Sequence, residues 1–300
     1  VRPANAETTA YRGRFAPSPS GDLHFGSVIA ALGSFLQARA QGGEWLVRIE
    51  NIDPPREVPG AAASILRQLE RLGLCWDGEV VYQRDREEAH RAAFAELKNA
   101  GLLYRCRCSR RVAGPGRYPG TCAQAQLGKE VSGADRLRVG NRHIVFTDAL
   151  RGTVSENLAD RCGDFVIWRA ENWPAYHLAV VVDDAAAGIT EIVRGGDLLD
   201  VTARQIYLQQ CLGLPSPAYC HLPLALDLDG AKLSKQTQAA PVSGLAAERV
   251  LSAALRFLGH PPPDSLLGAA PETLLAWAVA HWRLALIPPD DRCPAPADLA

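Results

Sequence analysis

Several strong signals are missing from this 300-residue chain, and each absence narrows what it can be. No run approaches the ~20 consecutive apolar residues of a membrane-spanning helix. The opening Val1-Arg2-Pro3-Ala4-Asn5 has no apolar core of the kind that directs secretion. The expectation is a cytoplasmic protein with no membrane partner. An excess of positive charge is also missing: 32 Lys and Arg stand against 33 Asp and Glu, with a net charge of −1 and a pI of about 6.7. That balance argues against a protein that holds nucleic acid by bulk charge, though not against local basic patches. A disulfide framework is missing too. The cysteines at 75, 106, 108, 122, 162, 211, 220 and 293 are scattered except for one cluster, the pattern of reduced thiols with a candidate metal site.

What is present is a chain with 47% hydrophobic residues, enough for one large domain or two of ordinary size. It is organised around residues 14–27, Arg-Phe-Ala-Pro-Ser-Pro-Ser-Gly-Asp-Leu-His-Phe-Gly-Ser. An apolar approach precedes this stretch, and residues 28–36 follow with apolar side chains at helical spacing, so a first strand hands over to a first helix here. Pro17 and Pro19 fix the turn, and Gly21 and Gly26 permit close backbone approach. The helix beginning near Ser27 offers unpaired N–H groups and a positive dipole end beside His24. The same composition also serves as plain loop punctuation.

The alternation continues with a strand at 45–49 and helices at 61–72 and 86–100, which predicts an open parallel sheet with ligands at its carboxyl edge. Glu50 and Asp53 fall just past such a strand end. Between 101 and 184 the alternation lapses into short β-rich pieces at 136–139, 143–147, 151–155 and 164–167. Two basic runs lie there: Arg105, Arg107, Arg110, Arg111 and Arg117, then Arg136, Arg138 and Arg142. The continuous apolar run at 174–184 predicts a buried parallel strand. Residues 221–226 give the last strand, and helices are expected at 245–258 and 271–286.

A second stretch, Asp227-Leu228-Asp229-Gly230-Ala231-Lys232-Leu233-Ser234-Lys235-Gln236, sets two lysines three apart after a tight turn. Together, Pro-Ser-Pro-Ser-Gly-Asp-Leu-His-Phe-Gly-Ser and Lys-Leu-Ser-Lys-Gln resemble the two signature motifs of the class I aminoacyl-tRNA synthetases. Residues 48–53, Arg-Ile-Glu-Asn-Ile-Asp, and 191–197, Glu-Ile-Val-Arg-Gly-Gly-Asp, narrow the resemblance to the glutamyl branch, over about residues 10 to 260.

The resemblance implies an α/β Rossmann-like catalytic domain in two halves, 10–100 and 185–240, after a leader at 1–9. An acceptor-binding-like, mostly β insertion at 101–184 and a helical region at 241–300 complete it. The 64 residues after Gln236 are too few for the family's helical anticodon-binding region. It further implies His24, Lys232 and Lys235 as catalytic residues. ATP falls to Pro17, Gly21, His24, Gly26, Ser27 and Lys235, with Mg2+ accompanying the nucleotide, and L-glutamate to Arg14, Ala16, Ser18, Glu50, Tyr176 and Arg194. Guanidinium donors suit two carboxylates and an acid suits the ammonium. Three positions depart from the family pattern: Ser27 stands for a histidine, Gln236 for a serine and Asn51 for an acid.

Spacing alone leaves the Cys106, Cys108, Cys122 set open, since Cys-x-Cys is a tight bite and zinc wants four ligands. The shortened bacterial paralogues of the glutamyl branch carry structural zinc on this pattern, which implies Tyr118 as fourth ligand. A water or His143 is the alternative. Those paralogues also imply the activity: tRNA-independent activation of glutamate and its transfer to queuosine in the anticodon stem-loop of tRNA(Asp). The alternatives are a truncated glutamyl-tRNA synthetase charging tRNA(Glu), a small-molecule nucleotidyltransferase and a catalytically silent RNA-binding paralogue.

Overall fold

The structure is a computed structural model that describes residues 10–109, 112, 116–125, 127–128, 130–226, 241–290 and 292–295. The strand β1 (Arg12–Phe15) leads through the 16–24 loop into α1 (Phe25–Ala40), and β2 (Glu44–Ile49) returns parallel to β1 in register Arg14↔Leu46. The helix α1 begins where His24 leaves helical geometry and its ring accepts the Ser27 N–H. Phe25, Val28, Ile29, Leu32 and Leu36 are wholly buried, so α1 is a core helix and not an amphipathic surface one. At Gly33 a Cβ would stand 2.5 Å from Cδ1 of the buried Leu222, so any larger residue there would force that side chain to shift.

After α2 (Ala61–Arg71), β3 (Val81–Tyr82) pairs parallel with β2, and α3 (Glu87–Asn99) closes the first half. A small antiparallel sheet follows, built from β4 (Leu103–Cys106), β5 (Ala134–Leu137) and β8 (Phe165–Trp168) in the order β4-β5-β8. Between β5 and β8 runs the hairpin β6 (His143–Asp148) and β7 (Gly152–Asn157). This hairpin lies within the expected 101–184 insertion, yet β6 pairs parallel with β10 (Ala218–Leu222) of the main sheet at Tyr219↔Asp148.

The second half is α4 (Tyr176–Ala186), β9 (Glu191–Gly195), α5 (Leu199–Cys211), β10 and β11 (Leu224–Leu226), with β9 and β10 parallel. The helices α6 (Ala247–Phe257) and α7 (Pro271–His281) pack on α1. The chain then returns to the sheet as β12 (Arg292–Pro294), parallel to β11, a strand with no counterpart among the sequence expectations.

One expectation is overturned outright. Residues 174–184 do not form a strand: from Tyr176 onward they are the helix α4. A buried helix and a buried strand share a continuous apolar pattern, and here tertiary burial overrides the β-propensity of Val180-Val181-Val182. The helical register has a consequence for the site, because it buries Asp183 and Asp184 side by side at the end of an otherwise apolar run.

Candidate active site

Two cavities meet above the carboxyl ends of the strands. The first is lined by Ser18, Glu50, Asp53, Arg56, Gln83, Arg169 and Tyr176, among others. The second, an open cleft of about 720 Å3, is lined by Pro17, Ser18, His24, Gly26 and Ser27 on one side and by Gly195, Asp197, Pro223, Leu224 and Ala225 on the other. That volume lies within the range of small-molecule sites, about 300–1,000 Å3. Ser18, Ser20 and Arg56 border both cavities, so a group bound in one would reach a group bound in the other.

The larger cleft takes the N-terminus of α1, where aligned peptide dipoles favour an anion. The ring of His24 accepts the Ser27 N–H at Nδ1, 3.3 Å away, which leaves Nε2 as the proton-bearing nitrogen. Gly21 has φ of 130°, a conformation that side chains rarely adopt, so the loop needs glycine there. Lys232, Lys235 and Gln236 lie outside the described residues. The flanks of their segment sit at this cleft: Leu224 and Ala225 line it, and Pro241 bridges to His24.

The smaller cavity stands on a buried ionic network. Arg14 Nε and Nη2 donate to the two oxygens of Asp184 at 3.1 and 3.2 Å, and Arg48 Nη1 donates to Asp184 Oδ1 at 2.5 Å. Arg48 Nη2 continues to Glu50 Oε1 at 3.2 Å. Burial raises the Asp184 pKa, but the two guanidiniums outweigh it and hold the carboxyl at about 2. At Glu50 burial prevails over Arg48 and Arg14, and its carboxyl is pushed up. Tyr176 opens α4 beside this cavity. Its phenol is raised by burial and by the Glu50 charge, and it also feels Arg194 and Arg14.

Arg194, on β9, is only 4% exposed. Its Nε donates to His221 Nε2 at 3.0 Å, and its Nη2 donates to Thr202 Oγ1 at 2.8 Å and to the Leu198 carbonyl at 3.3 Å. Its Nη1 has no acceptor among the described residues. Burial depresses its pKa. Arg14, Glu50 and Arg194, picked out separately along the sequence, are thus all brought within electrostatic reach of Tyr176. Ala16 and Ser18 follow the end of β1 beside them.

Sequence reasoning missed Arg48, Asp184, Thr202, His221 and Asp148. Two acids in the apolar run at 174–184 were a usable signal, because a buried carboxylate demands a partner. Asn51, where an acid was expected, accepts the Arg84 N–H at 2.9 Å and serves the backbone.

The cysteine cluster is separate from this cleft. The sulfurs of Cys106, Cys108 and Cys122 lie within 4.8 Å of one another, and those of Cys108 and Cys122 are 3.5 Å apart. Thiolates on a tetrahedral ion at about 2.3 Å stand about 3.8 Å apart. The Tyr118 hydroxyl lies 3.3 Å from Cys106 Sγ and 3.6 Å from Cys108 Sγ, and it accepts the Cys122 N–H at 3.0 Å. This cluster could hold a metal ion. His143 is not part of it and instead pairs with Ser155 at 2.9 Å. The Arg136 guanidinium stacks 3.7 Å from the Tyr118 ring centre. Burial opposes ionisation of Cys106, but Tyr118 and Arg136 hold that thiol down to about 7. Arg136 is therefore buried in the module, whereas Arg107, Arg117 and Arg142 are exposed.

Comparison with known proteins gives a family model described as the catalytic domain of class I tRNA synthetases (E and Q), which matches residues 10–112 and 124–255. A glutamyl-Q tRNA(Asp) synthetase of Aromatoleum aromaticum is 51% identical over 95% of this chain and 93% of its own length. One from Thiobacillus denitrificans is 50% identical over 92% and 94%. Among solved structures, a glutamate-tRNA synthetase from Elizabethkingia anophelis superposes with a TM-score of 0.79 at 24% identity, over 95% of this chain and 68% of that one. A glutamate tRNA ligase from Elizabethkingia meningosepticum, in complex with its amino acid, gives 0.80 at 23% over 97% and 68%. The expected α/β class I architecture holds. Among the described residues no helix is long and apolar enough to cross a membrane.

Proposed function

The chain belongs to the class I tRNA synthetase family of the glutamate and glutamine type, and on that premise we propose that it activates L-glutamate with ATP without tRNA and transfers the glutamyl group to queuosine at the wobble position of tRNA(Asp). The observation that carries this reading is sequence identity of about half, over more than nine-tenths of relatives that bear that activity in their names. The cleft geometry supports its first step.

A glutamate α-carboxylate oxygen attacks the α-phosphorus of ATP, the bond to pyrophosphate breaks, and glutamyl-adenylate forms. A hydroxyl of the queuosine cyclopentenediol then attacks the acyl carbon, AMP leaves, and the hydroxyl proton passes to solvent. The protein's part is positioning and charge, not covalent catalysis. Arg14 and Arg194 take the two carboxylates, Glu50 takes the ammonium, and Tyr176 with Ala16 and Ser18 shapes the pocket. Pro17, Gly21, His24, Gly26 and Ser27 hold ATP, with Mg2+ on its phosphates and Lys232 and Lys235 neutralising the leaving group. His24 Nε2–H and the start of α1 suit the phosphates.

Cys106, Cys108, Cys122 and Tyr118 fit zinc in donor type and spacing, and would hold it as a structural crosslink between β4 and the loop after it. The exposed arginines of this module suit the phosphates of an anticodon stem-loop. The place of work is the cytoplasm, and the insertion drawn at 101–184 between the halves 10–100 and 185–240 is RNA-facing outside β6 and α4, which belong to the main sheet and the second half. Labelled glutamate and ATP, offered with queuosine-containing tRNA(Asp), queuosine-free tRNA(Asp) and tRNA(Glu), test the proposal. Label on the modified tRNA(Asp) alone is expected, and label at the 3′ end of tRNA(Glu) would overturn it in favour of a truncated glutamyl-tRNA synthetase.

A further inference from the structure

Beneath Arg194 lies a pair that the proposed reaction does not use. His221 and Asp148 both have wholly buried side chains, with His221 Nδ1 2.6 Å from Asp148 Oδ2. Asp148 is itself fixed, because its Oδ1 accepts the N–H groups of Leu150 and Arg151 at 3.0 Å and of His221 at 3.3 Å. On the other edge of the ring, His221 Nε2 faces Arg194 Nε at 3.0 Å. A guanidinium can only donate, so Nε2 must be an unprotonated acceptor and Nδ1 must carry the hydrogen given to Asp148. The opposite tautomer, or imidazolium, would set N–H against N–H.

We infer that Asp148 and His221 are positioning residues for the amino acid: they hold the Arg194 guanidinium by its Nε edge and leave its Nη1 edge to a substrate carboxylate. The inference rests on the function proposed above. Its logic is that of a ligand-orienting shell, in which a carboxylate sets a histidine tautomer and the histidine sets the group that touches substrate. A neutral ring is the right clamp. A carboxylate in its place would neutralise Arg194 and compete with the substrate, whereas Nε2 and the Thr202 hydroxyl orient the cation and leave its charge uncompensated.

The groups facing His221 are Asp148 from β6, Arg151 from the turn after it, Arg194 from β9, Thr202 from α5 and Tyr219 from its own strand. Burial, Arg194 and Arg151 depress its pKa against the pull of Asp148, which keeps the ring neutral through the neutral range.

The test is RNA-free, glutamate-dependent ATP–pyrophosphate exchange by the full chain and two variants, His221→Phe and His221→Gln. His221→Phe is expected to raise KM for glutamate by about tenfold or more while KM for ATP stays within about twofold. His221→Gln keeps an amide oxygen for Arg194 and should recover part of the loss. An unchanged glutamate KM in His221→Phe overturns the inference. So does a rise in both KM values in step with a lowered melting temperature, which is what a merely structural role gives. Nitrogen-15 spectra of His221 in the wild-type chain provide a readout without substrate: a hydrogen on Nδ1 is expected, and one on Nε2 overturns the clamp. A wild-type chain without glutamate-dependent exchange would overturn the parent proposal and this role together. Wild-type exchange with unaltered variants overturns only the role.

Discussion

Arg14 on β1 and Arg194 on β9 are about equally buried, at 5% and 4% exposure, yet the two halves of the sheet compensate them differently. In the first half a carboxylate, Asp184, takes a forked pair of bonds from Arg14 and a third from Arg48, and Glu50 closes the chain. In the second half Arg194 is held by an imidazole, a hydroxyl and a carbonyl, with no carboxylate bonded to it and Nη1 idle among the described residues. A charge buried without a counter-ion costs stability, and a fold keeps one where it awaits an anion. The first half fixes its arginine in a paired scaffold, and the second leaves the charge of its arginine uncompensated.

The sharpest way to break this contrast is to remove the shared carboxylate. Asp184→Ala strands two buried guanidiniums and should cost about 3–5 kcal/mol in denaturant unfolding. A loss below about 1 kcal/mol, the scale of a surface pair, would contradict the scaffold role. Next in size is Arg194→Leu. It breaks no ion pair, so stability should hold or rise, while kcat/KM for glutamate falls by about 100-fold, close to 3 kcal/mol of lost binding. Equal losses of stability in the two variants would dissolve the distinction between the halves.

Acid offers a third test. The Asp184 carboxyl titrates at about 2 in the fold, below the unfolded carboxylate value near 3.9. Its stabilisation is therefore fully present above pH ~4 and lost as pH falls toward 2, by about 2 kcal/mol. Urea titrations should show the wild type weakening over that window more steeply than Asp184→Ala, and parallel curves would count against the pairing. The smallest effect is expected outside both halves. Tyr118→Phe removes the oxygen proposed as the fourth ligand beside the sulfur cluster and should weaken metal retention by about tenfold, close to 1.4 kcal/mol, read by competition with a chelator.

Much of the first half was legible in the sequence, because the handover from β1 to α1 is written in local chemistry: prolines, glycines and a helix-start histidine within one short loop. The cysteine cluster was legible for the same reason, its donors lying close in sequence. Residues 174–184 were not, since a run of buried valines has no periodicity to separate a strand from a helix. With that element misread, Asp184 could not be matched to Arg14, 170 positions away. The Asp148, His221 and Arg194 set escaped for a related reason, as its members lie on three strands and acquire meaning only when β6 and β9 flank β10. The return of β12 to β11 left no signal in a short segment at 292–294.

The central claim, that glutamate is recruited through a buried arginine left without a counter-ion, is tested most directly by ATP–pyrophosphate exchange with no RNA present, run with glutamate, with glutamine and with no amino acid. The account predicts exchange with glutamate, little with glutamine, and its loss in Arg194→Leu despite an undiminished melting temperature. Exchange that persists in Arg194→Leu, or that favours glutamine, would contradict it.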